Sequence, residues 1–573
     1  MRRGLHPHHL PPPGEALLHT GEKDGRGVTL SRTELTATII AAATALLVAA
    51  PVISIALLAL QPEPELWQHL IAYVLPQALR DTAALLIGVG IVTLTVGAGT
   101  AWLVSAHDFP GRALMLWLLP LPLAIPTYLA AYVYVDLFEP LGLVHRALAT
   151  AMSLPGAIGW LPSLRSLPGA IFVIGIVLYP YVYLSARAMF QHRSADFAEA
   201  AKILGADRWT TFRRVSLPMA RPALAVGLAL VSLETLNDIG ASEYLGIRTL
   251  TVSVFTTWLN RGSLAGAAQL SLFMLAIVAV LIAIERFGRR EGSVEFSSEN
   301  PRLAPRTPLT GVRGWLAFTA CVLPALLGFA VPLLYLLRES LRRGLLSMET
   351  TVWRDAGHTI ALAAIATGAA LLLGLVVIVA RRWRASRLTN LSVAVARTGY
   401  ALPGTVLALG LLTPVLFIDN GFSKLAGWLS LASPGLVMIG SGAAVVIAYV
   451  IRFLAVPTGF IKAGFEHIPV DYDDSARAAG APAITTLRVI QLPLLRPALF
   501  GAVIVVFVDC LKELPATLLL RPLNVETLAT SIYQYASRGS FEEGALAALL
   551  IVAASIGPVV WLTRFADVPK GPV

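Results

Sequence analysis

Residues 199–224 read EAAKILGADRWTTFRRVSLPMARPAL, and residues 474–499 read DSARAAGAPAITTLRVIQLPLLRPAL. The stretches lie 275 positions apart, and 12 of their 26 positions are identical. Self-similarity at a fixed spacing is the mark of a duplicated structural unit. The same offset pairs Glu234 with Asp509 and Asp238 with Glu513. Slightly larger offsets pair Arg261-Gly262-Ser263 with Arg538-Gly539-Ser540, and Pro126 with Pro403. The chain therefore reads as two copies of one architecture.

Composition says where that architecture sits. Of 573 residues, 56% are hydrophobic and only 14% charged, with a mean hydropathy of +0.73. A soluble chain carries about 25% charged residues, so this one cannot cover itself in water. A soluble enzyme, a disordered protein and a DNA-binding protein are excluded, and an integral membrane protein remains. Ten uncharged runs meet or nearly meet the roughly 20 residues a spanning helix needs: Leu35–Leu60, Thr82–Ala106, Ala113–Val135, Leu167–Ser185, Leu264–Ile284, Gly314–Leu337, Thr359–Ala380, Thr398–Ile418, Leu431–Ile451 and Gly544–Leu562. Pro222–Leu245 and Pro497–Leu520 have the length but carry charges. Backbone in lipid must bond to itself, and the period-2 alternation of a barrel is absent, so helices are expected.

The expected fold is an all-α integral membrane protein of about twelve transmembrane helices in two parallel six-helix repeats. Six is even, so the halves share one orientation about a pseudo-two-fold axis along the membrane normal. The divisions read as a tail (1–34), a first repeat (35–286) with its loop at 191–221, a linker (287–313), a second repeat (314–565) with its loop at 462–496, and a short tail (566–573). The first run is too long for a signal-peptide core and reads as a span. The tail before it holds His6, His8 and His9 and reads as disordered.

The net charge of +10 fits basic cytoplasmic loops facing anionic lipid and does not call for nucleic acid. Arginines and lysines in the 185–221 loop, four arginines in 381–387, and Arg286, Arg289 and Arg290 fall on one side if both termini are cytoplasmic. The 338–355 loop, with Arg338, Arg342, Arg343 and Arg354, disagrees. Cys321 and Cys510 lie in apolar runs and read as small buried residues.

The repeated loop reads as two short surface helices. Ala195–Leu204 ends at Gly205, suited to a positive-φ C′ position. Trp209–Ser216 then ends at Leu217-Pro218, and Arg221-Pro222 opens the next membrane helix. The pattern Glu-Ala-Ala, three residues, Gly, later Leu-Pro and Arg-Pro-Ala-Leu resembles the "EAA" loop of binding-protein-dependent ABC importer permeases of type I. The resemblance implies that Glu199, Ala200, Ala201, Gly205 and Ala206, with Asp474, Ala476, Gly480 and Ala481 in the looser second copy, dock on a cytoplasmic ATPase. ETLNDIGASEYLG (234–246) and LKELPATLLLRPLNVETLAT (511–530) are similar to the fused permeases of iron(III) importers, which share much with thiamine and aminophosphonate permeases, so the alternative cargo is thiamine, an aminophosphonate or a polyamine. The implied partners are a homodimeric ABC ATPase carrying ATP and Mg, a periplasmic binding protein and membrane lipid, in a bacterial inner membrane. The chain itself binds no cofactor on this reading. None of its six lysines follows a glycine, so it has no P-loop GK[ST].

Charged groups inside a membrane are costly and are functional candidates by default. Glu234 and Asp238 share a helix face, as do Asp509 and Glu513. At 1.5 Å per residue, Glu234 and Asp238 sit roughly 20 and 25 Å beyond Arg221. Two such helices meeting at the axis would set four carboxylates around one translocation pathway, suited to transient passage of a hard cation such as iron(III) but holding no stable metal. The structural alternative is that the acids cap broken helices near Gly240 and Pro515, or pair with Lys512. Tyr128, Tyr132, Tyr134, Tyr179, Tyr181 and Tyr183 read as an interfacial aromatic belt, with iron binding the lesser alternative. From another class, an ion-coupled secondary transporter would use the same acids as a proton relay.

Overall fold

The computed structural model describes residues 32–140, 142–152, 161–192, 204–205, 207–290, 306–343 and 350–567. Among these, ten helices are long and apolar enough to cross a membrane, or twelve if each of two bent pairs counts as one span. In the first half they are α1 (Arg32–Ala59), α2 (Leu75–Ala106), α3 (Thr127–Phe138), α4 (Leu167–His192), α5 (Leu217–Asn237) and α6 (Leu264–Arg290). In the second half they are α7 (Gly311–Arg342), α8 (Thr350–Trp383), α9 (Gly404–Trp428), α10 (Ala443–Phe453 with Ala455–Glu466), α11 (Leu492–Leu511) and α12 (Ala545–Asp567). The chain is an all-α membrane protein of two six-span repeats.

Proline sets the local shape of several spans. Four π-turns, Leu70–Val74, Phe212–Ser216, Leu326–Ala330 and Leu487–Gln491, each end two residues before a proline: Pro76, Pro218, Pro332 and Pro493. A proline ring collides with the carbonyl four residues back and offers no N–H. Widening that turn relieves the clash without ending the helix. The expected stop at Leu217-Pro218 is therefore not a stop, and the helix continues into α5.

Two other expectations are corrected. Ala113–Val135 is not one helix: Arg112–Leu118 and Thr127–Phe138 are separated by a 3₁₀ turn at Leu121–Ala124 and bent by 92°. Pro120, Pro122 and Pro126 crowd that break. The span expected at Leu431–Ile451 lies further along. Residues 431–436 are not helical, Gly442 (φ 80°) opens the helix, and α10 runs to Glu466 with a 42° bend. Arg452 had marked the end of the apolar run, yet it lies within the span.

The repeat is visible in matching bonds. The Thr82 hydroxyl on α2 accepts from Leu250 N at 2.9 Å, and Thr359 on α8 accepts from Leu528 N at 2.8 Å. Each caps the start of a short helix, Leu250–Arg261 or Leu528–Ser537. Those helices end at Gly262 (φ 67°) and Gly539 (φ 74°). Pro126 and Pro403 precede α3 and α9 with nearly the same dihedrals.

The first span of each half packs on the other half as well as on its own. α1 packs on α8, α9 and the Arg387–Ala396 helix of the second half, and its Ala37, Ala41 and Val48 join the core around α8–α11. α7 packs on the first half, where Tyr134 donates to the Leu327 carbonyl and Tyr335 to Asp136. Ala317, Cys321 and Leu336 join the core of α2–α5. Leu46, Leu57, Ile87 and Phe417 face outward, as side chains toward lipid do. The discordant arginines of the 338–355 loop sit beside acids: Arg338 and Arg342 by Glu339, Arg343 by Glu542, Arg354 by Asp355.

Thr82→Val or Thr359→Val keeps shape but strands a buried N–H. Each is expected to cost about 1–3 kcal/mol and to lower the melting temperature of the full chain in nanodiscs. Unchanged melting in both would contradict the matched-cap account.

Candidate functional site

The charged spans are broken where their acids lie. α5 ends at Asn237, Asp238 takes extended dihedrals (φ −81°, ψ 93°), and a short helix Ile239–Tyr244 follows. α11 ends at Leu511, and Pro515–Leu520 follows across Lys512–Leu514. A helix that begins again inside a membrane presents unbonded N–H groups that no water reaches. The acids meet that need. Asp238 accepts from Ala241 N at 2.9 Å. Glu513 accepts from Ala516 N at 3.0 Å, Thr517 N at 3.1 Å and the Thr517 hydroxyl at 2.7 Å.

The structure also brings the four acids together. Glu234, Asp238, Asp509 and Glu513 all line one cavity of about 90 Å³ between the halves. They divide into two pairs. Asp238 and Glu513 are buried and cap helices. Glu234 and Asp509 are half-buried with no cap to serve. Glu234 accepts from the Tyr400 hydroxyl at 2.7 Å, and Asp509 pairs with Lys512 at 2.9 Å.

Two residues that the sequence reading passed over complete the wall. Arg452 reaches from α10 to Asn237 Oδ1 at 2.8 Å and to Glu513 Oε1 at 3.7 Å. Asn237 Oδ1 also accepts from Gly404 N at 2.6 Å. One amide oxygen thus receives two donors from the opposite half. A methyl group on Gly404 would lie 2.7 Å from Arg452 Nη1 and 3.0 Å from Glu513 Oε1, so only glycine allows this approach. The signal for Asn237 was present, because the 275 offset pairs it with Lys512. The signal for Arg452 was masked by reading it as the membrane edge. Four acids against two cations leave the wall formally negative by two charges.

The tyrosines do not form an interfacial belt. Tyr132, Tyr179 and Tyr183 are fully buried, and Tyr128 and Tyr134 nearly so. Tyr179 donates to the Leu119 carbonyl at 2.8 Å across the α3 break. Only Tyr128 and Tyr181 of the six reach the cavity wall. Among the described residues, no three of His, Cys, Asp and Glu are grouped to hold a metal ion. Cys321 and Cys510 are free and buried.

Of the repeated loops, the second is fully described. A helix Asp471–Ala478 ends in a Schellman turn, with Gly480 N bonded to Arg477 O and Ala481 N to Ala476 O, both at 2.9 Å. Gly205 has φ 82°, the left-handed conformation expected of it, and its repeat partner Gly480 has φ 76°. Ala476 is buried, while Asp474 is exposed and pairs with Arg477 at 2.9 Å. Arg382 at the end of α8 holds Asp473 at 2.7 Å, and Gln491 holds its other oxygen at 2.8 Å. This braces the loop against the bundle. Glu199, Ala200, Ala201 and Ala206 lie outside the described residues, as do His6, His8 and His9. From each loop the helix runs unbroken to the cavity, over Arg213–Asn237 and Ala483–Leu511.

Comparison with known proteins finds the family described as binding-protein-dependent transport system inner membrane component, matched twice, at residues 92–290 and 370–567. An Fe(3+)-transport system permease protein of Haemophilus influenzae is 23% identical over 502 residues, covering 86% of this chain and 90% of that protein. A molybdenum transport system permease protein of Escherichia coli is 26% identical over 203 residues, 34% of this chain and 86% of its own length. A sulfate transport system permease protein of the same organism is 32% identical over 208 residues, 33% of this chain and 65% of its own.

The two duties of the acids separate by stability. Asp238→Ala is expected to cost about 1 kcal/mol as a lost cap. Glu513→Ala is expected to cost about 3–5 kcal/mol, since it also strands Arg452. Glu234→Ala should cost least. Glu513→Ala should melt lowest, Asp238→Ala next and Glu234→Ala highest, and a Glu234→Ala variant as unstable as Glu513→Ala would overturn the division.

Proposed function

The chain belongs to the binding-protein-dependent transport system inner membrane component family, and on that premise we propose that it is the fused permease of an importer for iron(III). It is a transport subunit of an ABC importer. Its cargo arrives from a periplasmic binding protein on the face away from the repeated loops. A separate ABC ATPase, a homodimer holding ATP and Mg, docks on those loops. Both termini are cytoplasmic in this reading, and the membrane is the bacterial inner membrane. The loop residues carrying the docking are Glu199, Ala200, Ala201, Gly205 and Ala206 in the first copy and Asp474, Ala476, Gly480 and Ala481 in the second.

One observation carries the choice of cargo: four carboxylates from equivalent positions line a single cavity between the halves. Carboxylate oxygen suits hard, highly charged cations. An oxyanion such as molybdate or sulfate would meet a wall with more acids than cations. The extended likeness to an Fe(3+)-transport permease supports the same choice.

The mechanism follows from the levers. ATP-driven closure of the ATPase draws the loops together. Each loop continues as one helix to the cavity, so the movement reaches the breaks at Asp238 and Lys512–Leu514 without being absorbed on the way. A broken helix hinges where its bonds are fewest. The halves then part at Asn237, and the acids are exposed to cargo.

The test uses the two acids free of capping. A Glu234→Gln/Asp509→Asn chain, assembled with its ATPase and binding protein in proteoliposomes, should keep ATP hydrolysis. Uptake of labelled iron(III) should fall at least roughly tenfold, a loss of about 1.4 kcal/mol of pathway stabilisation. Full iron uptake by the stable double variant would refute the cation pathway, and uptake of molybdate or sulfate instead would refute the cargo.

A further inference from the structure

Three polar atoms on the cavity wall have no hydrogen-bond partner: Asp238 Oδ2, Tyr128 Oη and Arg452 Nε. All three residues are more than nine-tenths buried. Buried polar atoms without partners are rare, and in a membrane interior they mark a state whose partner comes from elsewhere. Two of these atoms are oxygens, of the kind a hard cation takes as ligands.

The group opposing such a cation is already in place. Arg452 lies in contact with Glu513 of its own half and Asn237 of the other. Its footing on the first half is a neutral amide, not a carboxylate. The 275 offset pairs that Asn237 with Lys512, so the repeat is broken where the guanidinium crosses. Asn237 carries no charge to draw the guanidinium back once their 2.8 Å hydrogen bond opens, whereas the Glu513 carboxylate at 3.7 Å attracts it over a distance, which makes Asn237 the releasable end. Lys512, in contrast, is held by Asp509 one turn away on the same segment.

We propose that Arg452 is a resident counter-ion that holds the cavity shut to cations at rest, and that a hard trivalent cation enters only when the guanidinium withdraws from Asn237. The proposal deepens the cation-pathway reading above and rests on it. No three acids among the described residues are grouped to hold a metal, so the cation is met in passage and not at a fixed ligand cage. The withdrawal of Arg452 leaves the four acids and the unpartnered Asp238 and Tyr128 oxygens on the same cavity wall without that guanidinium. At equal distance a trivalent cation is attracted to these oxygens about three times as strongly as a monovalent one.

The test uses Tb³⁺ as the trivalent probe, read by tyrosine-sensitised luminescence with the full chain in nanodiscs. Arg452→Gln should bind Tb³⁺ at least roughly tenfold more tightly than the unmodified chain, because a unit positive charge in contact with the site is gone. Arg452→Lys should stay near the unmodified affinity. Adding Glu234→Gln and Asp509→Asn to Arg452→Gln should remove the gain. A folded Arg452→Gln chain with unchanged affinity overturns the proposal. If that variant does not fold, Asn237→Ala, which frees only the releasable end, should show a smaller gain, and no gain there overturns it equally. Iron uptake by the unmodified importer is a separate readout. A Tb³⁺ gain without iron transport would leave the counter-ion standing and refute the cargo; iron transport without the gain would do the reverse.

Discussion

A helix interrupted inside a membrane must satisfy its exposed backbone amides from its own side chains. Much else in this molecule depends on that constraint. It puts Asp238 and Glu513 at the breaks, because a carboxylate is the strongest short acceptor available for a restarting helix. Two buried carboxylates at a pseudo-two-fold interface repel each other and call for cations. Arg452 reaches one of them, and its second contact crosses to Asn237. The local need of a broken helix thereby becomes the bond that joins the halves.

The same chain of dependence explains why the halves are not interchangeable. The repeat preserves acids at 234/509 and 238/513, the hydroxyl caps at Thr82 and Thr359, and the left-handed glycines of both loops. It departs at Asn237/Lys512, and Arg452 is contributed by α10 of the second half alone to the cavity wall. Geometry common to both copies builds the bundle and its levers. The differences concentrate at the cavity, which the proposed reading makes the route of the cargo. α1 and α7 each pack on both halves and tie the outer shells together; on the proposed reading the contact that moves is the polar one at the centre.

The fold was legible where physics acts on long stretches. Runs of apolar residues located the spans, and the 275 offset located the repeat and the paired acids. The bends were less legible. Three prolines close together turned one expected span into a right-angled pair, while single prolines elsewhere were absorbed by π-turns, and the sequence offers no simple rule for which occurs. Arg452 shows the deeper difficulty. A charge at the end of an apolar run reads as a membrane boundary, and only its partners, Asn237 some 215 positions earlier and Glu513 later, make it an interior residue. The tyrosines failed in the opposite sense. Their density suggested an interface, but ring–ring contacts such as Tyr132 with Tyr244 at 4.5 Å and with Phe541 at 5.3 Å bury them in the core.

The central claim is that the acid-lined cavity between the halves is the route of a cation. Site-directed thiol labelling tests it most directly. A Glu234→Cys chain, with Cys321 and Cys510 replaced by alanine, is assembled with its ATPase and treated with a membrane-impermeant thiol reagent. The account predicts slow labelling at rest, fast labelling from one side during ATP turnover, and protection when iron(III)-loaded binding protein is present. Equal labelling in every state, or labelling that iron(III) leaves unchanged, would contradict it.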